Sequence, residues 1–126
     1  MLKILVIEDT ALVLEGLIEL LEAEGHEVVG CDSGQKAMAA IKSEVFDLVF
    51  CDVIMPGITG YTILLEMRSR GIMTPFCYLT AMVSKSDKEV GEKLGADLYL
   101  TKPYTIADIR EAIAALTKKP PVEGGS

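Results

Sequence analysis

Residues 3–9 read Lys-Ile-Leu-Val-Ile-Glu-Asp, four apolar residues between a lysine and an acidic pair. Four more short, mostly apolar runs follow, at residues 27–31, 48–51, 76–79 and 98–100. Helical patterns alternate with these runs, at residues 11–24, 35–43, 61–70, 85–93 and 106–118. This alternation is typical of repeated βαβ units, so it predicts an α/β fold with a parallel sheet covered by helices on both faces.

The size of the chain predicts one domain. It has 126 residues, half of them apolar, which is enough for a core that needs no disulfide or metal to hold it together. We place the domain at residues 1–119. Residues 120–126 read Pro-Pro-Val-Glu-Gly-Gly-Ser, which cannot continue a helix and has little to pack, so we predict a disordered tail or linker stub.

Composition excludes several classes of function. The formal net charge of −7 argues against binding to nucleic acid or an anionic membrane, because phosphate contacts need clustered cations. No apolar stretch approaches the roughly 20 residues that span a bilayer, and the first residues carry no signal-peptide pattern. We expect a cytoplasmic protein whose three cysteines are reduced and pack as small apolar side chains: Cys31, Cys51 and Cys77.

Charged and polar residues follow the predicted strands. Glu8 and Asp9 come after the first strand, Asp52 ends the third, Thr80 follows the fourth, and Lys102 follows the fifth. Each alone could be an ordinary turn, cap or surface residue. In a parallel sheet, however, these strand ends share one edge, where ligands bind. Three carboxylates there would repel one another, which predicts a hard divalent cation such as Mg²⁺, while the ammonium and hydroxyl suit an anion such as a phosphoryl group.

The order of these residues resembles the receiver domains of two-component response regulators. The similar motifs are the acidic pair at 8–9, Asp-Val-Ile-Met-Pro-Gly-Ile-Thr-Gly at 52–60, Leu-Thr-Ala at 79–81 and Gly-Ala-Asp-Leu-Tyr-Leu-Thr-Lys-Pro at 95–103. The resemblance extends from residue 3 to about residue 118. It implies a doubly wound (βα)5 sandwich, with the five parallel strands in the order 2-1-3-4-5 and helices on both faces.

The resemblance also implies a chemistry for the site. Asp52 would accept a phosphoryl group and become an aspartyl phosphate, with Lys102 and Thr80 contacting the phosphoryl oxygens. The bond between Lys102 and Pro103 would be cis. Such a domain catalyses its own phosphorylation and dephosphorylation and has no separate turnover substrate. Four residues would hold Mg²⁺, the first of them through water: Glu8, Asp9, Asp52 and the backbone carbonyl of Ile54.

By the same resemblance, phosphorylation would switch the conformation, as Thr80 moves towards the phosphoryl group and Tyr99 turns inward. The phosphodonor would be a histidine kinase or a histidine phosphotransfer protein, and the signal would pass to an effector protein or output domain. Residues 4–35 carry eight acidic residues and no Lys or Arg, which favours steering of a basic partner. Three apolar residues of the first helix are candidates for docking that partner, or else simply widen the core face: Leu12, Leu14 and Ile18.

Alternatives remain at this point. The chain could act alone, or could be the receiver domain of a larger DNA-binding regulator or hybrid kinase, and a non-enzymatic binding module is a further possibility. A flavodoxin-like electron carrier is disfavoured, because Glu8 and Asp9 would repel its phosphate. A phosphatase of the haloacid-dehalogenase type would need a second aspartate at position 54, where the chain has Ile54.

Overall fold

The computed structural model describes residues 1–53, 55–80 and 96–117. The strands are β1 (Lys3–Ile7), β2 (Glu27–Cys31), β3 (Leu48–Asp52), β4 (Phe76–Thr80) and β5 (Leu98–Thr101). The helices are α1 (Ala11–Ala23), α2 (Gly34–Ser43), α3 (Gly60–Ser69) and α4 (Ile106–Thr117). All of these elements begin and end within one residue of the prediction. The helix predicted at residues 85–93 and the tail predicted at residues 120–126 lie outside the described residues.

The five strands form one parallel sheet in the order β2-β1-β3-β4-β5, which confirms the predicted topology. Helices α2 and α3 pack on one face of the sheet, and α1 and α4 pack on the other. The central strands are buried on both faces, which explains why they appear in the sequence as continuous apolar runs. Polar side chains can therefore be accommodated at the edge of the sheet, where these strands end.

Side-chain caps define where α2, α3 and α4 begin, whereas Thr10 makes no side-chain cap at the start of α1. Thr105 and Asp108 form a reciprocal capping box at α4, with N···O distances of 2.8 and 3.1 Å. Ser33 caps α2 and Thr59 caps α3, each by accepting a backbone N–H three residues later. Among the residues that the structure describes, no helix has the length and apolar character of a membrane-spanning segment.

The three cysteines are buried and carry free thiols. Burial raises the pKa of Cys77 to about 12 and raises the pKa of Cys51 well above its ordinary value. Cys51 and Cys77 lie on opposite faces of the sheet. The prediction that the cysteines pack as small apolar side chains is confirmed.

Candidate metal centre

Three carboxylates meet at the carboxyl edge of the sheet. Glu8 and Asp9 directly follow β1, and Asp52 is the last residue of β3, which pairs with β1. One oxygen of each carboxylate lies within 4.8 Å of the other two. Glu8 and Asp52 are buried, whereas Asp9 is exposed to solvent. Oxygen atoms at this spacing can hold a hard cation, and the exposed Asp9 leaves the cluster open to one from solvent.

Lys102 supplies a positive charge to the same cluster. Its Nζ donates to Glu8 Oε1 at 2.8 Å and to Asp52 Oδ2 at 3.2 Å. Partial burial acts to lower the pKa of Lys102, but the hydrogen bonds and attraction of the two carboxylates outweigh it, so the pKa is raised. The side chain is therefore an ammonium that compensates the buried negative charge.

The backbone fixes the position of this lysine. The N–H of Lys102 donates to the carbonyl of Thr80 at 2.7 Å, which extends the pairing of β4 with β5 by one residue. The peptide bond between Lys102 and Pro103 is cis, as the resemblance implied. The prediction that strand ends would bring Lys102 and the three carboxylates together is confirmed by these contacts.

Glu8 is held by contacts on both carboxylate oxygens. Oε1 accepts from Lys102, and Oε2 accepts the backbone N–H of Thr10 at 3.1 Å. Its own N–H donates to the carbonyl of Cys31 on β2 at 3.0 Å. A fully buried carboxylate requires such partners, since an unpaired charge away from water is costly. Each Glu8 oxygen thus already accepts one hydrogen bond, and Asp9 is the carboxylate of the cluster that is exposed to a cation from solvent.

The two predicted switch residues lie on neighbouring strands. Thr80, the last residue of β4, is buried at the edge of the site. Tyr99 lies on β5, half-buried, with its ring centroid 5.2 Å from that of Tyr78. Their movement on phosphorylation stays a prediction. The carbonyl of Ile54, predicted as a metal ligand, lies outside the described residues.

Gly60 closes the loop that follows Asp52. Its N–H donates to the carbonyl of Val53 at 3.0 Å, so Gly60 lies beside the end of β3. A Cβ at Gly60 would lie 2.5 Å from the Asp52 carbonyl oxygen and 3.1 Å from Cε1 of Tyr78. Only glycine allows this close approach. No sequence pattern predicts this role of Gly60, because it depends on contacts with Asp52 and Tyr78.

The candidate docking residues differ in exposure. Leu12 is 82% exposed, in the first turn of α1 and close in sequence to the acidic pair. Leu14 and Ile18 are half-buried beside Gly30 of β2, where an added Cβ would collide with Ile18 and lie 3.3 Å from Leu14. Core packing therefore accounts for part of the apolar surface of Leu14 and Ile18, and Leu12 is the residue left free for a partner.

Comparison with known proteins identifies relatives. The family model for the response regulator receiver domain matches residues 4–114 of the chain. The chain is 35% identical over 119 residues to transcriptional regulatory protein CiaR of Streptococcus pneumoniae, covering 94% of this chain and 53% of that protein. It is 32% identical to alkaline phosphatase synthesis transcriptional regulatory protein PhoP of Bacillus subtilis, covering 93% and 49%. The chain therefore spans about half the length of the curated relatives it matches.

Solved structures agree with this relationship. The receiver domain of Francisella response regulator 1452 has a TM-score of 0.87 and 30% identity, with 94% of this chain and 98% of that chain covered. Chemotaxis protein CheY4 of Vibrio cholerae has a TM-score of 0.88 and 27% identity, with coverage of 92% and 98%. These chains have the same fold over nearly their whole length.

Proposed function

The chain belongs to the response regulator receiver domain family, and from that membership we propose that it is a phosphoacceptor of two-component signalling whose acceptor is Asp52. The observation that carries the proposal is the contact of Lys102 with Asp52 beside the acidic cluster. This arrangement pairs a nucleophilic carboxylate with a cation able to bind the incoming phosphoryl oxygens.

In the proposed reaction, a carboxylate oxygen of Asp52 forms a bond to phosphorus while the bond from phosphorus to the donor imidazole nitrogen breaks. The electron pair of the broken bond leaves with the imidazole, which is neutral once protonated on one nitrogen. Lys102 binds the phosphoryl oxygens, and the Thr80 hydroxyl donates to one of them. The transfer depends mainly on positioning and charge neutralisation, because the transition state carries its charge on the phosphoryl oxygens.

The donor set fits a bound Mg²⁺. Asp9 and Asp52 would ligate it directly, Glu8 would act through water, and the Ile54 carbonyl would complete the protein ligands. Both Glu8 oxygens already accept a hydrogen bond, one from Lys102 and one from Thr10, which supports a water-mediated role for that residue. When bound, the ion would supply positive charge to the phosphoryl oxygens. The choice of Mg²⁺ over other cations rests on its preference for carboxylate and carbonyl oxygens with several waters retained.

The donor would be a histidine kinase or histidine phosphotransfer protein in the cytoplasm. Leu12 offers an exposed apolar contact beside the site, and the acidic face of α1 would attract a basic partner at low salt. The names of CiaR and PhoP describe transcriptional regulators about twice as long as this chain. The output would therefore be a partner protein, or an attached domain if the chain belongs to a longer regulator or hybrid kinase.

Incubation with Mg²⁺ and acetyl phosphate, followed by intact-mass measurement, tests the proposal. The wild-type protein is expected to gain one phosphoryl group, and Asp52→Ala to gain none. Asp32→Ala is the matched control, since Asp32 is a surface aspartate paired with Lys36, and it is expected to behave as wild type. A chelator should abolish the gain. A folded wild-type protein without any gain would instead favour the non-enzymatic binding module.

A further inference from the structure

Tyr78 lies at the centre of an aromatic cluster beneath the site. It is fully buried on β4, and its ring contacts three others, those of Tyr61, Phe76 and Tyr99, at centroid distances of 5.0 to 5.2 Å. Burial raises the pKa of its hydroxyl, so the ring stays neutral. A side chain enclosed in this way has contacts on every side and little space in which to move.

On one side, the ring packs against the loop that follows Asp52. A Cβ added at Gly60 would lie 3.1 Å from Cε1 of Tyr78, so the ring lies directly against the Gly60 backbone. The ring edge of Tyr61, the next residue of α3, meets the Tyr78 ring at an interplanar angle of 76°. The Tyr78 hydroxyl donates to the Gly60 carbonyl at 3.4 Å, which is long for such a bond, so ring packing dominates this contact.

On the other side, the ring contacts β5. Tyr78 and Tyr99 are directly opposite in the β4–β5 register, and their rings are tilted at 45° with centroids 5.2 Å apart. Three residues after Tyr99, Lys102 extends its Nζ back to Asp52. The contacts therefore form a closed circuit, which runs from Asp52 through its loop to Gly60, across Tyr78 to Tyr99, and along β5 to Lys102.

We propose that the ring of Tyr78 is a positioning element that couples the loop after Asp52 to Tyr99. The inference rests on the proposed function, because a phosphoryl group on Asp52 is what would change the Lys102 contact and the loop together. Since the ring touches both sides of the circuit and has no free space, a shift of either side displaces it. Asp52 and Tyr99 would then respond to one another through Tyr78 as well as along the backbone.

Fluorine NMR of protein labelled with 3-fluorotyrosine tests the coupling. The chain has four tyrosines, so four signals are expected, and single Tyr→Phe variants assign them: Tyr61, Tyr78, Tyr99 and Tyr104. Spectra are recorded before and after addition of Mg²⁺ and acetyl phosphate, and the intact mass of each sample reports phosphorylation. In the wild type, the Tyr78 and Tyr99 signals are both expected to shift when the mass increases.

Three variants separate coupling from packing. Tyr78→Leu removes the ring and is expected to reduce the phosphorylation-dependent shift of Tyr99 about twofold or more. Tyr78→Phe keeps the ring and should restore the wild-type shift. Phe50→Leu is the matched control, because it removes a fully buried ring on the face of the sheet opposite to Tyr78, and it should also keep the Tyr99 shift.

Three results would overturn the coupling. In the phosphorylated wild type, a Tyr78 signal that does not move would exclude it without any variant, even if Tyr78→Leu fails to fold. An unchanged Tyr99 shift in Tyr78→Leu would exclude it, and so would an equal reduction in Tyr78→Leu and Phe50→Leu. Failure of the proposed function would give a different result, because the wild-type protein would then gain no mass.

Discussion

Two lysines, at opposite edges of the sheet, each lie between two carboxylates. At the carboxyl edge, Lys102 binds Glu8 and Asp52, whose side chains are 0% and 10% exposed. At the amino edge, Lys3 contacts two glutamates whose side chains are 56% and 36% exposed. The formal charges are the same, but only the second pair of carboxylates is substantially exposed to water. Burial therefore makes the first cluster dependent on a cation, and it leaves the second an ordinary surface network.

The surroundings of Lys3 show what such a network does. A hydrogen bond with Glu44 is the main reason that the pKa of Lys3 is raised, and Glu27 adds attraction at 3.8 Å. The ammonium of Lys3 lies 5.7 Å from the Phe46 ring centroid. The backbone N–H of Lys3 donates to Asp47 Oδ2 at 2.8 Å. These contacts join the start of β1 to β2 and to the loop before β3. Their role is to hold strands in place, and they leave no buried carboxylate to be neutralised.

The largest expected difference is in phosphorylation. Lys102→Met should slow the gain of a phosphoryl group from acetyl phosphate by about 100-fold, because it removes the charge that binds the phosphoryl oxygens. Lys3→Met, which deletes the same side chain at the other edge, should leave the rate unchanged. The rate of intact-mass increase measures both. Equal slowing in the two variants would mean that the lysine acts through the fold alone.

Removal of the metal should affect only the carboxyl edge. At a Mg²⁺ concentration of about 100 times its Kd, the free energy of unfolding in urea should exceed that in chelator by about 2.7 kcal/mol. Lys3→Met should keep this increment, and Asp9→Asn should lose much of it because one ligand is gone. If the increment is absent from the wild type, or is the same in Asp9→Asn, the acidic cluster is not the metal site.

Without metal, the two lysines should differ in their effect on stability. Lys102→Met leaves two buried carboxylates without their cation and should lower the free energy of unfolding by about 2 kcal/mol, less than a fully buried pair because the lysine is partly solvated. Added Mg²⁺ should restore most of this loss. Urea unfolding in chelator measures the difference, and a loss no greater than that of Lys3→Met would show that burial of Glu8 and Asp52 does not require the lysine.

The smallest effect concerns salt at the amino edge. Any loss of stability in Lys3→Met should shrink as NaCl is raised to 1 M, where the screening length is about 3 Å. The loss in Lys102→Met should depend less on salt, since buried charges are poorly screened. Urea titrations at low and high salt compare the variants. A salt-independent loss in Lys3→Met would show that its contact with Phe46 matters more than its charge.

The sequence predicted the strands well because buried parallel strands are apolar along their whole length. It also predicted the shared edge, since parallel strands end together. The direct pairing of Lys102 with Glu8 was not predicted, because no local pattern encodes which acceptor a long side chain selects. The roles of Gly60 and Tyr78 were missed for a related reason: each depends on a contact between distant segments, and periodicity describes only the segment itself.

The docking residues illustrate the same limit on one helix. The apolar stripe of α1 predicted which of its residues face the sheet, but the stripe is wider than the core face requires. Either additional core packing or a partner contact could explain the extra width. The absence of a side chain at Gly30 on β2 creates the space that Ile18 and Leu14 enter. Helical periodicity cannot reveal a gap on a neighbouring strand. Leu12, in the first turn of α1, is exposed, and its role in docking stays a prediction.

The position of Lys102, directly after the last strand of the sheet, has a consequence for protein synthesis. Glu8 and Asp52 belong to neighbouring strands, but the lysine that neutralises them is 50 residues after Asp52. The ribosome synthesises the chain from its N-terminus, so Glu8 and Asp52 emerge well before Lys102. Until Lys102 emerges, these carboxylates need water or a bound cation. Neutralisation of the two acids by the chain's own cation therefore waits for completion of the domain.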